Sequence, residues 1–372
     1  MHKNNLNESP DKKNTIFKLI LIVVNAITII VILNMELKKG SLADFGQAVR
    51  ILSENYIWLL VCIGLIVLKV LADSICYMIL IKETTGEARF WLSLKIALIG
   101  KYGDGVTPMA TGGQPFQIYF LYKYNIDLSQ SASIPLTRIV VRVIGYDIVM
   151  LIFFIFFPQE GSSVIKTIAY VGIGINMLLP ITIIMFTFKI NWARKLTLWG
   201  LKLAHKLKLV KDIDKERDYW IKKVDDMLYS IKYFNSHPFI FFSILILSMV
   251  DFLCLASIPF FVHKAFGGGG FTWIFVATST MYVISSAMMM PTPGTAGMAE
   301  ASFYAIFARV ITGGMIFYGI ITWRFITFYS FMIIGIFLLI YESFFKKKAM
   351  IDLIDERKGR TTNRQRESAP PS

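Results

Sequence analysis

The residues of this chain that could bind a charged ligand lie inside apolar stretches. Arg138 and Arg142 are four residues apart and share one helix face, and Asp147 follows in the same apolar segment. A charge at mid-membrane costs at least about 2.5–3.5 kcal/mol on insertion scales, so it should face a cavity or a partner. Because a guanidinium binds phosphate oxygens in pairs, the two arginines predict a phosphodiester site. In the alternative, they lie near the cytoplasmic surface and extend their side chains to it.

A glycine-rich run precedes these arginines. Residues 100–116 hold five glycines, two prolines and two charged residues. Glycines allow a backbone to approach a ligand closely, and a helix that begins near Gly113 would aim free N–H groups at a phosphate. The alternative is an ordinary cytoplasmic loop built from turn residues. The predicted ligand-binding residues of this run are Lys101, Asp104, Gly112, Gly113 and Gln114.

A second broken segment lies towards the C-terminal end. Residues 291–300 hold two prolines, two glycines and a glutamate between apolar flanks. Proline removes a backbone donor, and unsatisfied backbone groups in lipid cost several kcal/mol each, so the segment predicts a helix break that lines a buried cavity. Many transporters hold polar cargo at such breaks. The remaining predicted site residues are Asp251, Pro293, Gly294, Gly297, Glu300 and Arg324.

Other charges in apolar segments have two interpretations. Lys69 and Asp73 are four residues apart, and an ion pair within one helix explains them without any ligand. Asp251 and Glu300 could each take up a proton or accept a hydrogen bond from a cationic headgroup. A structural hydrogen bond to a neighbouring helix is the alternative for both.

The elements that must position these residues are membrane helices. The chain has 372 residues, of which 55% are hydrophobic, and apolar runs long enough to span a bilayer recur along it. We predict an all-α polytopic membrane protein with about six full spans and two re-entrant hairpins, eight membrane segments in all. The predicted spans are 16–34, 56–81, 131–157, 164–188, 238–262 and 312–343. The predicted hairpins are 96–122 and 271–308.

Charge predicts the orientation. Residues 189–236 carry 12 Lys and Arg against six Asp and Glu, and both terminal tails are basic. By the positive-inside rule these three regions, including both termini, are cytoplasmic, and we expect a bacterial cytoplasmic membrane. With six full spans and all three basic regions on the cytoplasmic side, the two hairpins must enter the membrane from opposite sides, as in an inverted repeat. The predicted divisions are a tail (1–15), a first membrane half (16–188), cytoplasmic helices (189–236), a second membrane half (237–345) and a disordered basic tail (346–372).

The cytoplasmic segment 189–236 predicts two amphipathic helices. Apolar residues recur three or four positions apart from Trp192 and again from Trp220, and the opposite faces are basic. Such helices lie at the membrane surface and attract anionic headgroups. Alternatively, they pack beneath the helix bundle.

Several function classes find no support in the residues. The formal net charge is +14, but no basic soluble domain is present, so no nucleic-acid partner is expected. The four histidines are scattered without metal-ligand spacing, and neither a Gly-x-Ser-x-Gly elbow nor a P-loop occurs. We expect no cofactor and no metal.

Three motifs resemble the lysylphosphatidylglycerol synthase transmembrane family, the flippase module of the bacterial multiple peptide resistance factor. They are residues 112–119, Arg138 and Arg142 with residues 145–147, and residues 291–300. The resemblance covers about 16–343. It implies a lipid translocase that moves aminoacylated phosphatidylglycerol to the outer leaflet and protects against cationic antimicrobial peptides.

The chain departs from that family's full-length arrangement, in which a soluble domain makes the lipid from aminoacyl-tRNA. Its longest polar segment, 189–236, is too short for an independent catalytic core, so we expect no synthase activity from this chain. The leading hypothesis is a flippase for an anionic or aminoacylated phospholipid, with a glycolipid or polyprenyl phosphate as other cargo. The alternatives are a phosphatidylglycerol lysyltransferase and a membrane scaffold for a lipid-modifying enzyme. A separate lipid synthase is a candidate partner, and the oligomeric state stays open.

Overall fold

The structure, a computed structural model, describes residues 42–107, 112–158, 163–206, 213–287, 298–307, 311 and 315–342. Its elements in these ranges are all helical, which confirms the predicted all-α class. The first seven helices are α1 (Leu42–Glu54), α2 (Tyr56–Thr85), α3 (Phe90–Val106), α4 (Gly113–Lys123), α5 (Leu128–Phe156), α6 (Ser163–Phe188) and α7 (Ile190–Lys206). The others are α8 (Ile213–Ser236), α9 (Pro238–Ala265), α10 (Trp273–Ala287), α11 (Met298–Phe307), α12 (Ile316–Arg324) and α13 (Ser330–Ile340), with a π-helical segment at Phe325–Tyr329.

Five of the described helical stretches are long and apolar enough to cross a membrane. They are Tyr56–Thr85, Leu128–Phe156, Lys166–Phe188, Pro238–Ala265 and Ile316–Ile340, the last running through the π-helical segment. These stretches match five of the six predicted spans to within a few residues. The sixth, 16–34, lies outside the described residues. The chain is therefore built as a multi-pass membrane protein.

The two predicted hairpins contain pairs of short helices. α3 packs on α4 in the first, and α10 packs on α11 in the second. The longest of the four is α3 with 17 residues, which extends about 25 Å and is shorter than the roughly 30 Å hydrocarbon core. Each helix alone is thus too short for a full span. Re-entry from opposite sides stays a prediction, since the residues that join the helices of each pair, 108–111 and 288–297, lie outside the described part of the chain.

The segments between the spans contain helices that differ from simple loops. α1 lies in the stretch between the first two predicted spans, and its Ala48 is buried against the core that includes Cys62 and Ile258. In α8, Ile231 and Phe234 are buried, so this helix packs beneath the bundle. α7 instead leaves its apolar stripe exposed: Trp192, Leu196, Trp199 and Leu203.

The last span packs closely on the first hairpin through a glycine. A Cβ atom added at Gly335 would lie 2.3 Å from Tyr102 Cβ, whereas one added at Gly64 would meet nothing within 4 Å. We expect Gly335→Ala to lower the melting temperature in detergent, because α13 would have to move away from α3. Gly64→Ala should leave it unchanged or slightly raised, because alanine favours a helix by up to about 1 kcal/mol. Equal effects of the two substitutions would contradict this packing.

Candidate functional site

Charged side chains from four helices meet halfway along the bundle. Arg142 is the fifteenth of the 29 residues of α5, and Asp251 is the fourteenth of the 28 residues of α9. Lys69 is the fourteenth of the 30 residues of α2. Since the midpoint of a spanning helix lies near the middle of the bilayer, these charges are at membrane depth. We call the group the midspan cluster: Lys69, Asp73, Lys101, Asp104, Arg138, Arg142, Tyr146, Ser248 and Asp251.

Asp73 is the most heavily paired carboxylate of the cluster. Its Oδ1 lies 2.9 Å from Arg138 Nε and 2.8 Å from Arg138 Nη2, and its Oδ2 lies 3.1 Å from Lys101 Nζ. Arg138 also donates from Nη1 to the Ser248 hydroxyl, 2.9 Å away. The Arg138 side chain is only 1% exposed. The alternative in which Arg138 extends to the membrane surface therefore does not describe it.

Asp251 is held by two partners from other helices. Lys69 Nζ lies 2.5 Å from its Oδ1, and the Tyr146 hydroxyl donates to its Oδ2. The predicted ion pair between Lys69 and Asp73 within α2 is therefore wrong. The two residues share a helix face as predicted, but α9 supplies the partner of Lys69, and α3 and α5 supply the partners of Asp73.

Two donors of the cluster lack a matching acceptor. Arg138 Nη2 is buried, and none of its hydrogens is aligned on an acceptor among the described residues, although Asp73 Oδ1 is near. Arg142 makes no ion pair or hydrogen bond within the described part of the chain, and it interacts through space with Asp104. Counted over the described residues, the cluster has four cations and three carboxylates. It therefore carries one formal positive charge in excess.

The first hairpin closes on itself more than the sequence predicted. The Gly113 N–H donates to Asp104 Oδ1 at 2.9 Å, and the Gly112 N–H donates to Thr107 Oγ1 at 2.7 Å. The N–H groups expected to face a phosphate are therefore occupied by side chains of the same hairpin. Glycine is required at 113 for another reason, because a Cβ atom there would lie 2.7 Å from the Gly100 carbonyl oxygen. Gln114 is half-buried at the start of α4.

An ion pair joins the second hairpin to the last span. Glu300 of α11 and Arg324 at the end of α12 pair with each other. The Arg324 guanidinium also lies 5.2 Å from the centre of the Trp323 ring and 5.3 Å from that of Phe328. The π-helical segment begins directly after Arg324, and such segments often occur at functional sites. Pro293, Gly294 and Gly297 lie outside the described residues.

Four members of the cluster were not among the predicted site residues: Lys69, Asp73, Tyr146 and Ser248. Lys69 and Asp73 were interpreted as an ion pair within one helix, which needs no ligand. Ser248 carries no signal in an apolar helix, because serine is common there as a hydrogen-bond donor to its own backbone. Tyr146 falls within a motif that supported the family resemblance, and its position between Arg142 and Asp147 was an available signal.

Glu342, just beyond the last span, forms ion pairs with lysines of α3 and α4. Its carboxylate lies 2.9 Å from Lys95 Nζ, 3.2 Å from Lys123 Nζ and 2.5 Å from the Tyr124 hydroxyl. Burial alone would raise the pKa of Glu342, but the hydrogen bonds from Tyr124, Lys95 and Lys123 outweigh it and lower the pKa to about 2. These contacts attach the end of the last span to α3 and α4.

This attachment should depend on pH. Because the pKa of Glu342 is lower in the folded protein than its usual value of 4.5, its contribution is complete above about pH 4.5 and is lost as the pH falls towards 2. We expect Glu342→Gln to lower the melting temperature at neutral pH, and the difference from wild type to shrink below about pH 4.5. A difference that stays constant down to about pH 3 would contradict the ion pairs.

The fold and the charged midspan cluster together define a multi-pass membrane protein with a buried polar site. The chain belongs to the family described as the lysylphosphatidylglycerol synthase TM region, whose model matches residues 16–335. This membership ties the chain to lysylphosphatidylglycerol synthesis as a membrane protein and confirms the resemblance seen in the sequence. Comparison with curated proteins gave no match. Comparison with solved structures gave none either.

Proposed function

We propose that this chain is a lipid translocase that moves an anionic or aminoacylated phospholipid, such as lysylphosphatidylglycerol, across the bacterial cytoplasmic membrane. One observation carries the proposal: the midspan cluster has one formal positive charge in excess at membrane depth, and Arg142 is the cation that makes no ion pair among the described residues. A charge without an ion-pair partner at membrane depth costs several kcal/mol, so its presence favours an anionic ligand.

The shape of the donors suits a phosphodiester. Arg138 and Arg142 are one helical turn apart on α5, about 6 Å between their Cβ atoms. The two non-bridging oxygens of one phosphodiester can therefore accept from both guanidinium groups. The acyl chains would stay in the bilayer while the headgroup passes through the cluster, and Asp251 and Glu300 would receive an amino headgroup. Rocking of one half of the chain against the other would switch access.

The segment that contains α7 and α8 supports an orientation of the chain in the membrane, and the proposed cargo implies a partner enzyme. The basic segment that contains α7 and α8 favours a cytoplasmic position for that side and for both termini. The exposed tryptophans and leucines of α7 would enter the headgroup region, while Lys195 and Lys202 on the same exposed side would meet anionic lipids. A separate lipid synthase would supply the cargo, and movement of that lipid outward would contribute to resistance against cationic antimicrobial peptides.

The proposal is tested with purified protein in vesicles that contain lysylphosphatidylglycerol. A membrane-impermeant amine reagent labels only the outward-facing lipid, so protein-dependent labelling of the inner pool reports translocation. We expect the inner pool to become accessible within minutes with protein and to stay protected in protein-free vesicles. Protection that persists with folded protein in the vesicles would reject this cargo.

A lysyltransferase is the second candidate, because the family's description names synthesis. The same vesicles, made with phosphatidylglycerol and supplied with lysyl-tRNA, separate the two functions. Formation of lysyl-lipid would support the enzyme, and its absence together with translocation would support the translocase. A scaffold role predicts that both activities are absent and that substitutions of Arg138 and Arg142 leave partner binding unchanged.

A further inference from the structure

Asp147 differs from the other buried carboxylates of α5 and its neighbours. Its side chain is completely buried. Oδ1 accepts one long hydrogen bond, 3.3 Å from Asn176 Nδ2 of α6, and Oδ2 has no partner among the described residues. Asp73 and Asp251, in contrast, each have a cation within 3.1 Å.

The environment of Asp147 does not compensate a negative charge. α5, α6, α9 and α10 form an apolar core in this region that includes Met150, about one turn from Asp147 along α5, and Ile173, about one turn from Asn176 along α6. Within the described residues no group forms an ion pair with Asp147. Since an unpaired ion in such surroundings is strongly disfavoured, the neutral carboxylic acid is the form that this site stabilises.

The other titratable groups near this part of α5 are few. Along α5 itself, Arg142 and Tyr146 precede Asp147, and Tyr146 is committed to Asp251. The three other helices that pack here contribute the remaining titratable groups: Lys166 and Tyr170 of α6, Asp251 and Cys254 of α9, and Tyr282 of α10.

Asp147 lies where α5, the helix of the arginines, meets α6, which in turn packs on α10 of the second hairpin. α6 packs on α10 so closely that a Cβ atom at Gly172 would lie 2.2 Å from the Ser285 carbonyl oxygen. The Ser285 hydroxyl also donates to the Ala169 carbonyl at 2.5 Å. α6 and α10 are therefore joined firmly, and Asp147 and Asn176 form a polar contact between this pair and α5. Motion of the second hairpin relative to α5 would open this contact to water.

We propose that Asp147 is a proton-binding site that couples lipid translocation to proton movement. In the closed arrangement the carboxyl group holds a proton. When α5 and α6 separate, the proton passes to water that enters between them, and the carboxylate that remains is hydrated. Reclosure requires a proton to return to the carboxylate, from the side of the membrane to which the site is then open. The part of this inference that concerns transport depends on the proposed function; the part that concerns the proton does not.

The first test needs no transport. Unfolded aspartate releases its proton near pH 4, so a folded Asp147 that keeps its proton makes wild type less stable than Asp147→Asn as the pH rises above about 4. We expect the melting temperature of wild type to fall relative to that of Asp147→Asn between about pH 5 and pH 7. The control Asp218→Asn, at an exposed site of α8, should show a constant difference. A constant or oppositely sloped difference for Asp147→Asn would overturn the proposal.

A second measurement applies if Asp147→Asn does not fold. Infrared spectra of the wild type at neutral pH should contain the carbonyl band of a protonated carboxylic acid that shifts in Asp147→Glu. Absence of such a band would overturn the proposal.

Transport then tests the coupling. In the vesicle assay, the rate for wild type should change with pH by up to about tenfold per unit, as for one linked proton, while the rate for Asp147→Asn stays flat. Parallel pH profiles of the two proteins would overturn the coupling. Absence of any lipid movement, with the stability difference present, would reject the proposed cargo and leave the proton site standing.

Discussion

Arg142→Ala is expected to reduce the rate of lipid translocation by about 10- to 150-fold while the protein remains folded. A hydrogen bond to a charged group contributes about 1.5–3 kcal/mol, and each 1.4 kcal/mol corresponds to a factor of ten. Arg142 makes no ion pair among the described residues, and Asp104, with which it interacts through space, keeps its hydrogen bond from the Gly113 N–H. The melting temperature should therefore be unchanged or slightly higher.

The measurement is the initial rate at which a membrane-impermeant reagent labels the inner pool of lysylphosphatidylglycerol, at equal amounts of incorporated protein. Arg142→Lys is the matched control, because it keeps the charge but removes the planar pair of donors. Its rate should lie between those of wild type and Arg142→Ala. Unchanged translocation in Arg142→Ala would remove this residue from the mechanism.

Arg138→Ala should instead destabilise the protein, by about 3–5 kcal/mol, because it breaks a buried ion pair and leaves a carboxylate in place. Among the described residues, Asp73 would keep only its ion pair with Lys101, and Ser248 would lose the hydrogen bond from Arg138. The double variant Arg138→Ala with Asp73→Ala should regain part of this loss, since it removes the uncompensated charge as well.

The measurement is the melting temperature of the single and double variants in the same detergent. Arg50→Ala is the control, because Arg50 also pairs with a carboxylate, at 3.0 Å from Glu54, but the Arg50 side chain is 81% exposed. No measurable change is expected there. If Arg138→Ala behaves like Arg50→Ala, the ion pair does not hold these helices together.

The sequence was a good guide to the membrane helices and a poor guide to the partners inside them. Hydrophobicity and length decide whether a segment spans a bilayer, and five predicted spans match described helices. The start of α4 at Gly113 also agrees with the pattern of glycine and proline in that run. Both features depend only on residues close together in the chain.

The pairing of charges depends on which helix faces meet, and local spacing does not contain that information. The four-residue spacing of Lys69 and Asp73 predicted a pair within α2, but α9 brings Asp251 to Lys69 over 182 residues of sequence separation. Likewise, the Gly113 N–H binds Asp104 because α3 folds back on α4. The prediction of Arg138 and Arg142 as residues at membrane depth needed only their position in an apolar helix.

The most direct test of the account is the affinity of the midspan cluster for a phosphodiester headgroup. Short-chain phosphatidylglycerol would be titrated into purified wild type and Arg142→Ala and followed by calorimetry, with short-chain diacylglycerol, which lacks the phosphate, as the reference ligand. We expect wild type to bind phosphatidylglycerol at least about tenfold more tightly than Arg142→Ala does, as the loss of one charged hydrogen bond requires. Equal affinity of both proteins, or equal binding of diacylglycerol, would contradict a headgroup site at Arg138 and Arg142.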